Sequence, residues 1–492
     1  MNLDSTSEFR QSQNNSLAPS IEDLQDWDRT IVWHAFSQMS EYDGLIVESA
    51  SGCWLKTIDG KQVLDGASSL WCNVHGHAHP TIDAAIVQQL SKVAHVTSLG
   101  MSHPTTIQLA KRLVDLAPEG LGHVFFSSDG ASAVEVAMKM AFQYWRQCPN
   151  PEPERNTFLA VGDGYHGDTL GACSVSGVSR FQAIFEPLLF PVLRGPCPDT
   201  YRYPSGNFSP KSNSHELSQY YLDQYERILE QNACRIAAII IEPLVQGAAG
   251  MVMHPTGFLK GLFELSRKYN TLFIADEVAV GIGRTGTMFA CEQELVSPDL
   301  LCIGKGLTGG YLPMSATLCN SRIWTAFLGD YADSVAFFHG HTYGGNPLAA
   351  AAALATLRVF EAEQTLQKLS KKIQKLKELL EPIAKHPNVG DVRQLGFIAA
   401  IELVSDKQSK QPYPFSERRG ASVCREALKR GVWLRPLGNI IPIIPPFSIS
   451  DQELELLVNA VKAGIEATTT DHGTTSGALG RASMGSASHG FG

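Results

Sequence analysis

The stretch Asp299-Leu-Leu-Cys-Ile-Gly-Lys305-Gly-Leu-Thr-Gly-Gly310 decides the fold, because it ends an apolar run in a lysine flanked by glycines. Upstream of it, Thr271-Leu-Phe-Ile-Ala275 is a second apolar run of similar length, and it ends in Asp276. Short apolar runs of this kind are typical of buried strands in a sheet that is covered on both faces. The sequence therefore predicts two buried strands, one ending in an acid and the other in a lysine.

An acid and a lysine at the ends of neighbouring strands suggest a pyridoxal phosphate site. Lys305 would form the Schiff base with the cofactor aldehyde, and Asp276 would keep the pyridine nitrogen protonated so that the ring withdraws electrons. Each residue alone also fits a simpler interpretation. Lys305 could be a surface lysine at the start of a loop, and an aspartate can end a buried strand without any cofactor.

Other segments extend the α/β pattern. His123-Val-Phe-Phe-Ser127 reads as a strand, and the segment 131–147 that follows reads as a helix. Arg235-Ile-Ala-Ala-Ile-Ile-Ile241 is almost wholly apolar, as expected of a strand buried on both faces. Strand, helix and strand at these spacings predict a mostly parallel sheet covered by helices.

The character of the sequence changes after Pro347. Helical patterns at 348–361, 363–380 and 418–430 alternate with strand-like segments at 397–403 and 431–435, which predicts a smaller α+β domain. Both ends of the chain are polar or small-residue-rich, and we expect them to be disordered. The predicted division is a disordered segment 1–28, an N-terminal part of the small domain 29–75, a large cofactor-binding domain 76–345, the small domain 346–467 and a disordered tail 468–492.

Composition excludes several classes of protein. Of the 492 residues, 18% are charged and 44% hydrophobic, and the net charge of −9 argues against a nucleic-acid surface. No apolar stretch has the length of a membrane span, and the first residues lack the apolar core of a secretory signal. The ten cysteines are scattered without a C-x-x-C pair, so we expect reduced thiols and a cytoplasmic location.

A candidate phosphate site lies between the strand at 123–127 and the next helix. Ser127-Ser-Asp-Gly-Ala-Ser132 is built of small residues, and its amides would stand at a helix N-terminus, which favours a phosphate. Gly130 and Ala131 are the residues that we expect to contact it. Any strand-to-helix turn also favours Ser, Asp and Gly, so the local sequence leaves a simple capped turn equally open.

Two further motifs could face the same crevice. In Gly162-Asp-Gly-Tyr165-His-Gly-Asp168, an aromatic between glycines suits stacking on a planar ring, and Asp168 could orient a bound group. The segment could equally be a turn with a half-buried tyrosine. Glu242 ends the strand at 235–241, at the edge where open α/β sheets bind ligands, although a loop salt bridge would explain it too.

Two motifs near the C-terminal half involve histidine and arginine. His339-Gly-His341 has no third ligand at a zinc-like spacing, so we predict no metal site. Arg435 is an isolated cation in the apolar segment Val432-Trp-Leu-Arg-Pro436. Such an arginine pairs with a carboxylate, which either a neighbouring residue or a substrate could supply.

Several motifs together resemble class III pyridoxal phosphate aminotransferases. Asp276-Glu-Val278, then Gly281-Ile-Gly-Arg-Thr-Gly286, then Lys305 within its glycines, is similar to the signature of that class. Other stretches, distributed over roughly residues 30 to 465, are similar to the branch of the class that acts in biotin synthesis. They are Trp33-His34, Asp65–Ser69, His75-Gly76, Ala133–Ala141, Gly164–Thr169, Gly340–Thr342, Gly345–Pro347 and Val432–Pro436.

The resemblance implies a fold type I transferase that forms a homodimer with shared active sites and binds pyridoxal 5'-phosphate. It implies that Lys305 binds the cofactor and carries the proton, and that Asp276 pairs with the ring nitrogen. Tyr165 would stack on one face of the ring, and Val278 would lie against the other. The remaining implied cofactor contacts are the amides of Gly130 and Ala131 and, from the partner subunit, Thr342; the implied substrate contacts are Phe36, Trp71, Asp168, Lys305, Gly340 and Arg435.

The resemblance also implies transamination of 8-amino-7-oxononanoate to 7,8-diaminononanoate, with S-adenosylmethionine as amino donor. Two departures concern the donor. Phe36 stands where the family has a tyrosine, and Leu70 stands beside Trp71 where the family has a tryptophan pair. Lysine as donor, or another class III ω-aminotransferase, is the nearest alternative. A decarboxylase or aminomutase on the same fold is more distant, and a non-enzymatic role is disfavoured because both Lys305 and Asp276 are present.

Overall fold

The computed structural model describes residues 19–204 and 214–469. The strands within these ranges form one large mixed sheet, two smaller sheets and a two-stranded hairpin. In chain order they are β1 Val47–Ser51, β2 Trp54–Thr57, β3 Gln62–Asp65, β4 Leu121–Ser127, β5 Thr157–Val161, β6 Leu193–Gly195, β7 Ile236–Ile241, β8 Val245–Gln246, β9 Val252–Met253, β10 Leu272–Asp276, β11 Leu300–Ile303, β12 Ser315–Asn320, β13 Val389–Leu395, β14 Ile398–Asp406, β15 Gln411–Pro412, β16 Val432–Trp433 and β17 Ile440–Ile443.

Helices cover the sheets and connect most of the strands. The α-helices of the described residues are Ile21–Thr30, Pro80–Leu90, Pro104–Leu116, Gly130–Gln147, Leu170–Val175, Ser179–Gln182, Ser214–Asn232, Phe258–Lys268, Ser321–Ala326, Pro347–Ala362, Thr365–Leu380, Arg419–Leu428 and Asp451–Thr469, together with the short helical turn Ser68–Trp71. Short 3-10 helices lie at Met39–Glu41, Ala183–Leu188, Ala233–Arg235, Ala290–Glu294, Lys305–Thr308, Tyr331–Asp333, Ile383–Lys385 and Phe415–Glu417. These helices are all too short or too polar to cross a lipid bilayer.

The large sheet has seven strands in the order β4-β12-β11-β10-β7-β5-β6. The pairs β11–β10, β10–β7, β7–β5 and β5–β6 are parallel, whereas β12 runs antiparallel to both of its neighbours. Strand β4 therefore points in the same direction as the parallel strands. The carboxyl ends of β4, β5, β7, β10 and β11 all meet at one edge of the sheet, which is the edge where α/β sheets bind ligands.

Both faces of the large sheet are buried, because successive side chains of each strand pack into two different cores. Ile240 and Ile274 contact the core that includes helix Gly130–Gln147. Their neighbours Ile239 and Phe273 contact the core that includes helix Phe258–Lys268. This alternation explains why β7 and β10 are apolar at every position before their last residues.

A smaller α+β region contains β13, β14 and β17, which pair antiparallel. The N-terminal strands join this region, because β3 pairs in parallel with β16. A buried ion network connects it to the large sheet region: Arg393 donates hydrogen bonds to Glu402 at 2.8 Å and to the carbonyl of Met251, in the turn between β8 and β9, at 2.8 Å. The small region is thus fixed to a hairpin beside the sheet edge.

The structure confirms the predicted fold class. Strands predicted at 123–127, 235–241, 271–275 and 299–304 are observed as β4, β7, β10 and β11 with small shifts of their ends. The predicted division of the chain into domains stays a prediction, and the pairing of β3 with β16 supports its assignment of residues 29–75 to the small domain.

The prediction of disorder up to residue 28 is wrong where the structure describes the chain. Helix Ile21–Thr30 begins at a capping box in which Ser20 and Asp23 exchange hydrogen bonds, 3.0 Å from the Asp23 amide to Ser20 Oγ. His34 Nε2 lies 2.9 Å from Asp28 and ties the helix end to the following segment. Residues 1–18 lie outside the described residues. The predicted tail begins two residues too early, because the last helix reaches Thr469, and its remainder is outside the described residues.

Candidate active site

The crevice at the sheet edge contains both residues that opened the sequence argument. Asp276 is the last residue of β10 and is buried, with 4% of its surface exposed. Lys305 follows β11 by two residues and has φ of +37°, a backbone conformation that is rare outside glycine. Neighbouring strands therefore place the acid and the lysine at the same edge, as the sequence predicts. Positive φ at a non-glycine residue is often found at active sites, where the surrounding structure maintains it.

Asp276 is held by a residue that the sequence argument did not select. Its Oδ2 lies 2.8 Å from Nδ1 of His166, and its Oδ1 accepts the amide of Val278 at 3.1 Å. His166 is buried, and its Nε2 has no hydrogen-bond partner among the described residues. The signal that could have identified it is its place beside Tyr165, just after the buried strand β5.

The amino group of Lys305 is affected by burial and by two carboxylates. Burial lowers the pKa of its amino group, while the charges of Asp276 and Glu242 act in the opposite direction. Nζ of Lys305 lies 5.4 Å from the centroid of the Trp71 ring. A lysine with a lowered pKa presents more of its neutral amine, which is the form that attacks a carbonyl or accepts a proton.

The helix N-terminus after β4 provides a cradle for an anion. Asp129 caps helix Gly130–Gln147 by accepting the amide of Ser132 at 2.9 Å. The amides of Gly130 and Ala131 lie in the first helical turn, where no intrahelical acceptor exists. A side-chain carbon at Gly130 would lie 2.5 Å from Cγ1 of Val278, so glycine is required for this close approach. Ser127, which ends β4, has a buried hydroxyl without a hydrogen-bond partner among the described residues.

Tyr165 and its neighbours form one wall of the crevice. The Tyr165 hydroxyl donates to Asp168 Oδ2 at 2.7 Å, and its amide donates to Glu242 Oε1 at 2.7 Å. Burial and the Asp168 carboxylate both raise the pKa of the Tyr165 hydroxyl, so it stays protonated. The ring of Phe181 packs edge-on against Tyr165 and also against Phe36, with centroid distances of 6.0 and 5.1 Å.

Arg435 lies beside Phe36, with its guanidinium carbon 5.8 Å from the Phe36 ring centroid. Arg435 is half-buried, and it forms no salt bridge or side-chain hydrogen bond with any residue that the structure describes. From the sequence alone, a neighbouring acid could pair with this arginine. No described residue does so, which leaves the guanidinium available to a carboxylate from outside.

Trp71 is presented by a turn with an unusual backbone. Ser68, Ser69, Leu70 and Trp71 all have positive φ, from 48° to 141°. The buried carboxylate of Asp65 stabilises this turn by accepting hydrogen bonds from Ser69, at 3.0 Å from its amide and 2.9 Å from its hydroxyl. The strain of four consecutive residues is thus concentrated where the indole meets the crevice.

Gly340 and Thr342 are two further predicted site residues, and no hydrogen bond of the described structure joins them to the residues of the crevice. Both are exposed, in a loop whose His339 packs near Lys139 on the outer side of helix Gly130–Gln147, with Nζ to Nδ1 at 3.0 Å. The Nε2 atoms of His339 and His341 lie 3.2 Å apart. Within residues 19–204 and 214–469, no three His, Cys, Asp or Glu side chains come together as a metal-binding group.

Comparison with known proteins identifies the class. The family Aminotransferase class-III matches residues 37–465, so the chain belongs to that family of pyridoxal phosphate-dependent aminotransferases. The chain is similar to the adenosylmethionine-8-amino-7-oxononanoate aminotransferases of Geobacter sulfurreducens, at 46% identity over 91% of this chain and 98% of the relative, and of Aquifex aeolicus, at 48% identity over 90% and 97%.

Two solved structures show the same fold. The adenosylmethionine-8-amino-7-oxononanoate aminotransferase of Methanocaldococcus jannaschii superposes with a TM-score of 0.83 at 40% identity, covering 90% of this chain and 99% of the other. An (S)-enantioselective ω-transaminase of Thermomicrobium roseum gives 0.86 at 32% identity, covering 92% and 100%. The fold is therefore shared across the class, and the choice of substrate depends on the residues of the pocket.

Proposed function

We propose that this chain transfers an amino group to 8-amino-7-oxononanoate, giving 7,8-diaminononanoate for biotin synthesis, with S-adenosylmethionine as the amino donor. The observation that carries the proposal is Arg435, a half-buried cation without an acidic partner among the described residues, beside Phe36, whose ring packs through Phe181 to Tyr165. A chain-terminal carboxylate on a keto substrate would satisfy it. The names of relatives that match over nine-tenths of the chain support the same substrate.

The residues of the crevice fit pyridoxal phosphate. The amides of Gly130 and Ala131 would hold the phosphate, Asp276 would bind the ring nitrogen, and Tyr165 and Val278 would enclose the ring. When bound, the cofactor supplies an aldehyde that joins the substrate amine and a ring that withdraws electrons from the adjacent carbon. The structural features that favour this fit are the free amides of the helix start and the acid fixed by His166.

Lys305 would move the proton. As a neutral amine, its Nζ would accept the proton from the donor α-carbon. Burial favours that neutral form by lowering the pKa of the amine. Trp71, whose ring centroid lies 5.4 Å from Nζ, would keep water away from the reacting carbon.

Phe36 and Leu70 bear on the donor. Phe36 offers no hydroxyl, and its ring lies between Phe181 and Arg435. Leu70 is exposed beside Trp71, at a turn that the crevice shares. Lysine as the donor with the same product is therefore the second candidate. Another class III ω-aminotransferase activity is the third, favoured by the structural match to the ω-transaminase of Thermomicrobium roseum.

The complete site would require a homodimer. Thr342 and Gly340 are exposed and have no hydrogen bond to the crevice residues of their own chain, so we infer that Thr342 of the partner subunit would be the one to reach the phosphate. Large apolar side chains are also exposed in the single chain: Trp33 at 89%, Leu99 at 87% and Phe338 at 76% of their surface. Such a surface is typical of a subunit interface.

Mixed dimers would test this arrangement. Lys305→Ala and Thr342→Glu should each give inactive homodimers, since the first lacks the amine and the second places a negative charge against the phosphate. Random mixing should restore about a quarter of wild-type activity, because half of the dimers would contain one intact site of two. Failure to restore any activity, with mixing shown by tagged subunits, would place Thr342 in the site of its own chain.

We also propose a cytoplasmic location. All ten cysteines are free in the structure, and burial raises the pKa of the Cys53 and Cys424 thiols to about 12. Free buried thiols are usual in a reducing compartment. Cell fractionation with a tagged chain would test this assignment.

The function itself is tested by product formation. Purified enzyme, loaded with pyridoxal phosphate, is incubated with 8-amino-7-oxononanoate and either donor, and 7,8-diaminononanoate is quantified by mass spectrometry. We expect product with S-adenosylmethionine and none from Lys305→Ala. Product with lysine alone would select the second candidate. No product with either donor, together with turnover of simple amines, would select the third.

A further inference from the structure

Glu242 is a buried carboxylate with an unusual set of partners. It directly follows β7, and 3% of its surface is exposed. It forms no salt bridge with a described residue. Its Oε1 accepts the amide of Tyr165 at 2.7 Å, and its Oε2 accepts the amide of Gly247 at 3.0 Å. Burying a carboxylate without a cation costs free energy, so a purpose for these two contacts is expected.

The two amides belong to turns that line the crevice. Tyr165 begins the wall that continues to Asp168, through the hydrogen bond of its hydroxyl. Gly247 lies against Trp71, since a side-chain carbon added at Gly247 would be 3.1 Å from Cζ3 of the indole. One carboxylate therefore fixes the positions of both aromatic side chains.

Glu242 also acts on Lys305 through its charge. Asp276 and Glu242 are the carboxylates whose charges oppose the effect of burial on the Lys305 pKa. Asp276 is occupied by His166 and by the Val278 amide. Burial raises the pKa of Glu242 to about 7, and the Asp276 carboxylate acts in the same direction, whereas the ring of His166 and the two amides act in the opposite direction.

We propose that Glu242 is a positioning residue of the aminotransferase site: it holds the Tyr165 turn and the Gly247 turn together, and it supplies a second negative charge to the Lys305 nitrogen. This inference rests on the proposed function only in that the crevice is an active site. It assigns a role to a residue that the cofactor and substrate contacts leave without one. It predicts that the geometric and the electrostatic roles can be separated by substitution.

The chain contains a matched control in Glu277. This carboxylate is also buried, and it also accepts two backbone amides, from Ala290 at 2.7 Å and Cys291 at 2.8 Å. Burial raises its pKa to about 7, as for Glu242. Its amides, however, belong to a turn away from Tyr165 and Gly247, and it is absent from the charges that shift the Lys305 pKa. The substitution Glu277→Gln therefore has the same chemistry without the proposed role.

Backbone hydrogen exchange tests the geometric role in the full-length enzyme with its cofactor. In Glu242→Gln one terminal oxygen becomes an NH2 donor, so at least one of the two amides loses its acceptor. We expect exchange to rise in the peptides that contain Tyr165 and Gly247, by about 10-fold or more for an amide that loses its hydrogen bond. Glu277→Gln should raise exchange near Ala290 instead. Unchanged exchange at both Tyr165 and Gly247 in Glu242→Gln would overturn the geometric role.

A pH titration of the cofactor absorbance tests the electrostatic role, because this absorbance reports protonation of the Lys305 nitrogen. Glu242→Gln removes a negative charge and should move the midpoint to lower pH. Glu242→Asp keeps the charge on a shorter side chain, so its midpoint should stay near the wild-type value although exchange rises at Tyr165 and Gly247. Equal midpoints in wild type and Glu242→Gln, with folding verified by thermal melting, would overturn this role. Neither readout depends on the substrate, so failure of the proposed substrate assay would remain a separate result.

Discussion

Asp276 Oδ2 lies 2.8 Å from Nδ1 of His166, and both side chains are buried at the edge of the sheet. A carboxylate accepts hydrogen bonds and does not donate them, so Nδ1 of His166 carries the proton of this hydrogen bond. The other ring nitrogen, Nε2, has no partner among the described residues. The histidine thus fixes the orientation of the acid that would bind the cofactor ring.

Replacing His166 by phenylalanine should free Asp276 to rotate. We expect kcat to fall by about 10- to 100-fold and the cofactor to dissociate faster, since a small misplacement of a positioned group has effects of this size. The measurements are steady-state kinetics and the rate of loss of cofactor absorbance on dilution. His254→Phe is the control, because His254 is partly buried and neither of its ring nitrogens has a hydrogen-bond partner in the described structure. Equal kinetics for the two variants would contradict the role of His166.

Gly130→Ala should weaken cofactor retention. The added carbon would stand 2.5 Å from Cγ1 of Val278, so either the helix start or the valine must move. Overpacking of this kind costs about 1–3 kcal/mol, and here the movement affects residues proposed to contact the phosphate and the ring. We expect a higher dissociation constant for pyridoxal phosphate, measured by fluorescence titration. Gly122→Ala, where the added carbon meets nothing within 4 Å, should bind as wild type.

Arg435→Met should act on the keto substrate in particular. Loss of a charge-assisted, bidentate contact costs about 1.5–3 kcal/mol, so KM for 8-amino-7-oxononanoate should rise by roughly 10- to 100-fold. The first half-reaction with S-adenosylmethionine should change less. Arg425 is exposed, and its guanidinium donates a hydrogen bond only to Ser422 among the described residues. It provides the control substitution Arg425→Met. A KM unchanged by Arg435→Met would exclude this arginine as the carboxylate anchor.

Glu277 should make the stability of the protein depend on pH. Burial raises its pKa from 4.5 to about 7 in the folded state, so the folded protein binds more protons than the unfolded chain between these values. The free energy of unfolding contributed by this group therefore falls as pH rises from 4.5 to 7, by at most about 3 kcal/mol. Glutamine does not titrate.

The melting temperature of Glu277→Gln minus that of wild type should accordingly increase from pH 5 to pH 8. Differential scanning fluorimetry of both proteins in matched buffers measures this difference. A constant difference across the range would mean that Glu277 has an ordinary pKa in the fold.

Much of the fold could be predicted from the sequence because the central strands are buried on both faces. Runs such as Ile236–Ile241 and Leu272–Asp276 have no polar residue before the strand end, so these strands can be recognised in the sequence. The antiparallel strand Ser315–Asn320 was not predicted, because its polar residues Ser315 and Thr317 are satisfied only by distant carbonyls, those of Asp129 and Ala133. Contacts of this kind depend on the tertiary fold.

The site residues also include some that the sequence predicts and others whose roles depend on the tertiary fold. Lys305 and Asp276 could be predicted because each ends a strand at the ligand-binding edge. The roles inferred for His166 and Glu242 depend on distances across the sheet, to Asp276 and to the Tyr165 amide, that no local pattern contains. The helix Ile21–Thr30 was missed because it has no buried residue, and only its capping box indicates where it begins.

Amino transfer from S-adenosylmethionine to 8-amino-7-oxononanoate can be tested directly by two half-reactions on the purified enzyme loaded with pyridoxal phosphate. The enzyme is mixed with S-adenosylmethionine or with lysine, and the absorbance of the bound cofactor is followed; 8-amino-7-oxononanoate is then added. We predict that S-adenosylmethionine converts the cofactor to its amine form and that the keto acid restores the starting spectrum. Conversion by lysine alone would contradict the proposed donor, and failure of 8-amino-7-oxononanoate to restore the spectrum after either donor would contradict the proposed function.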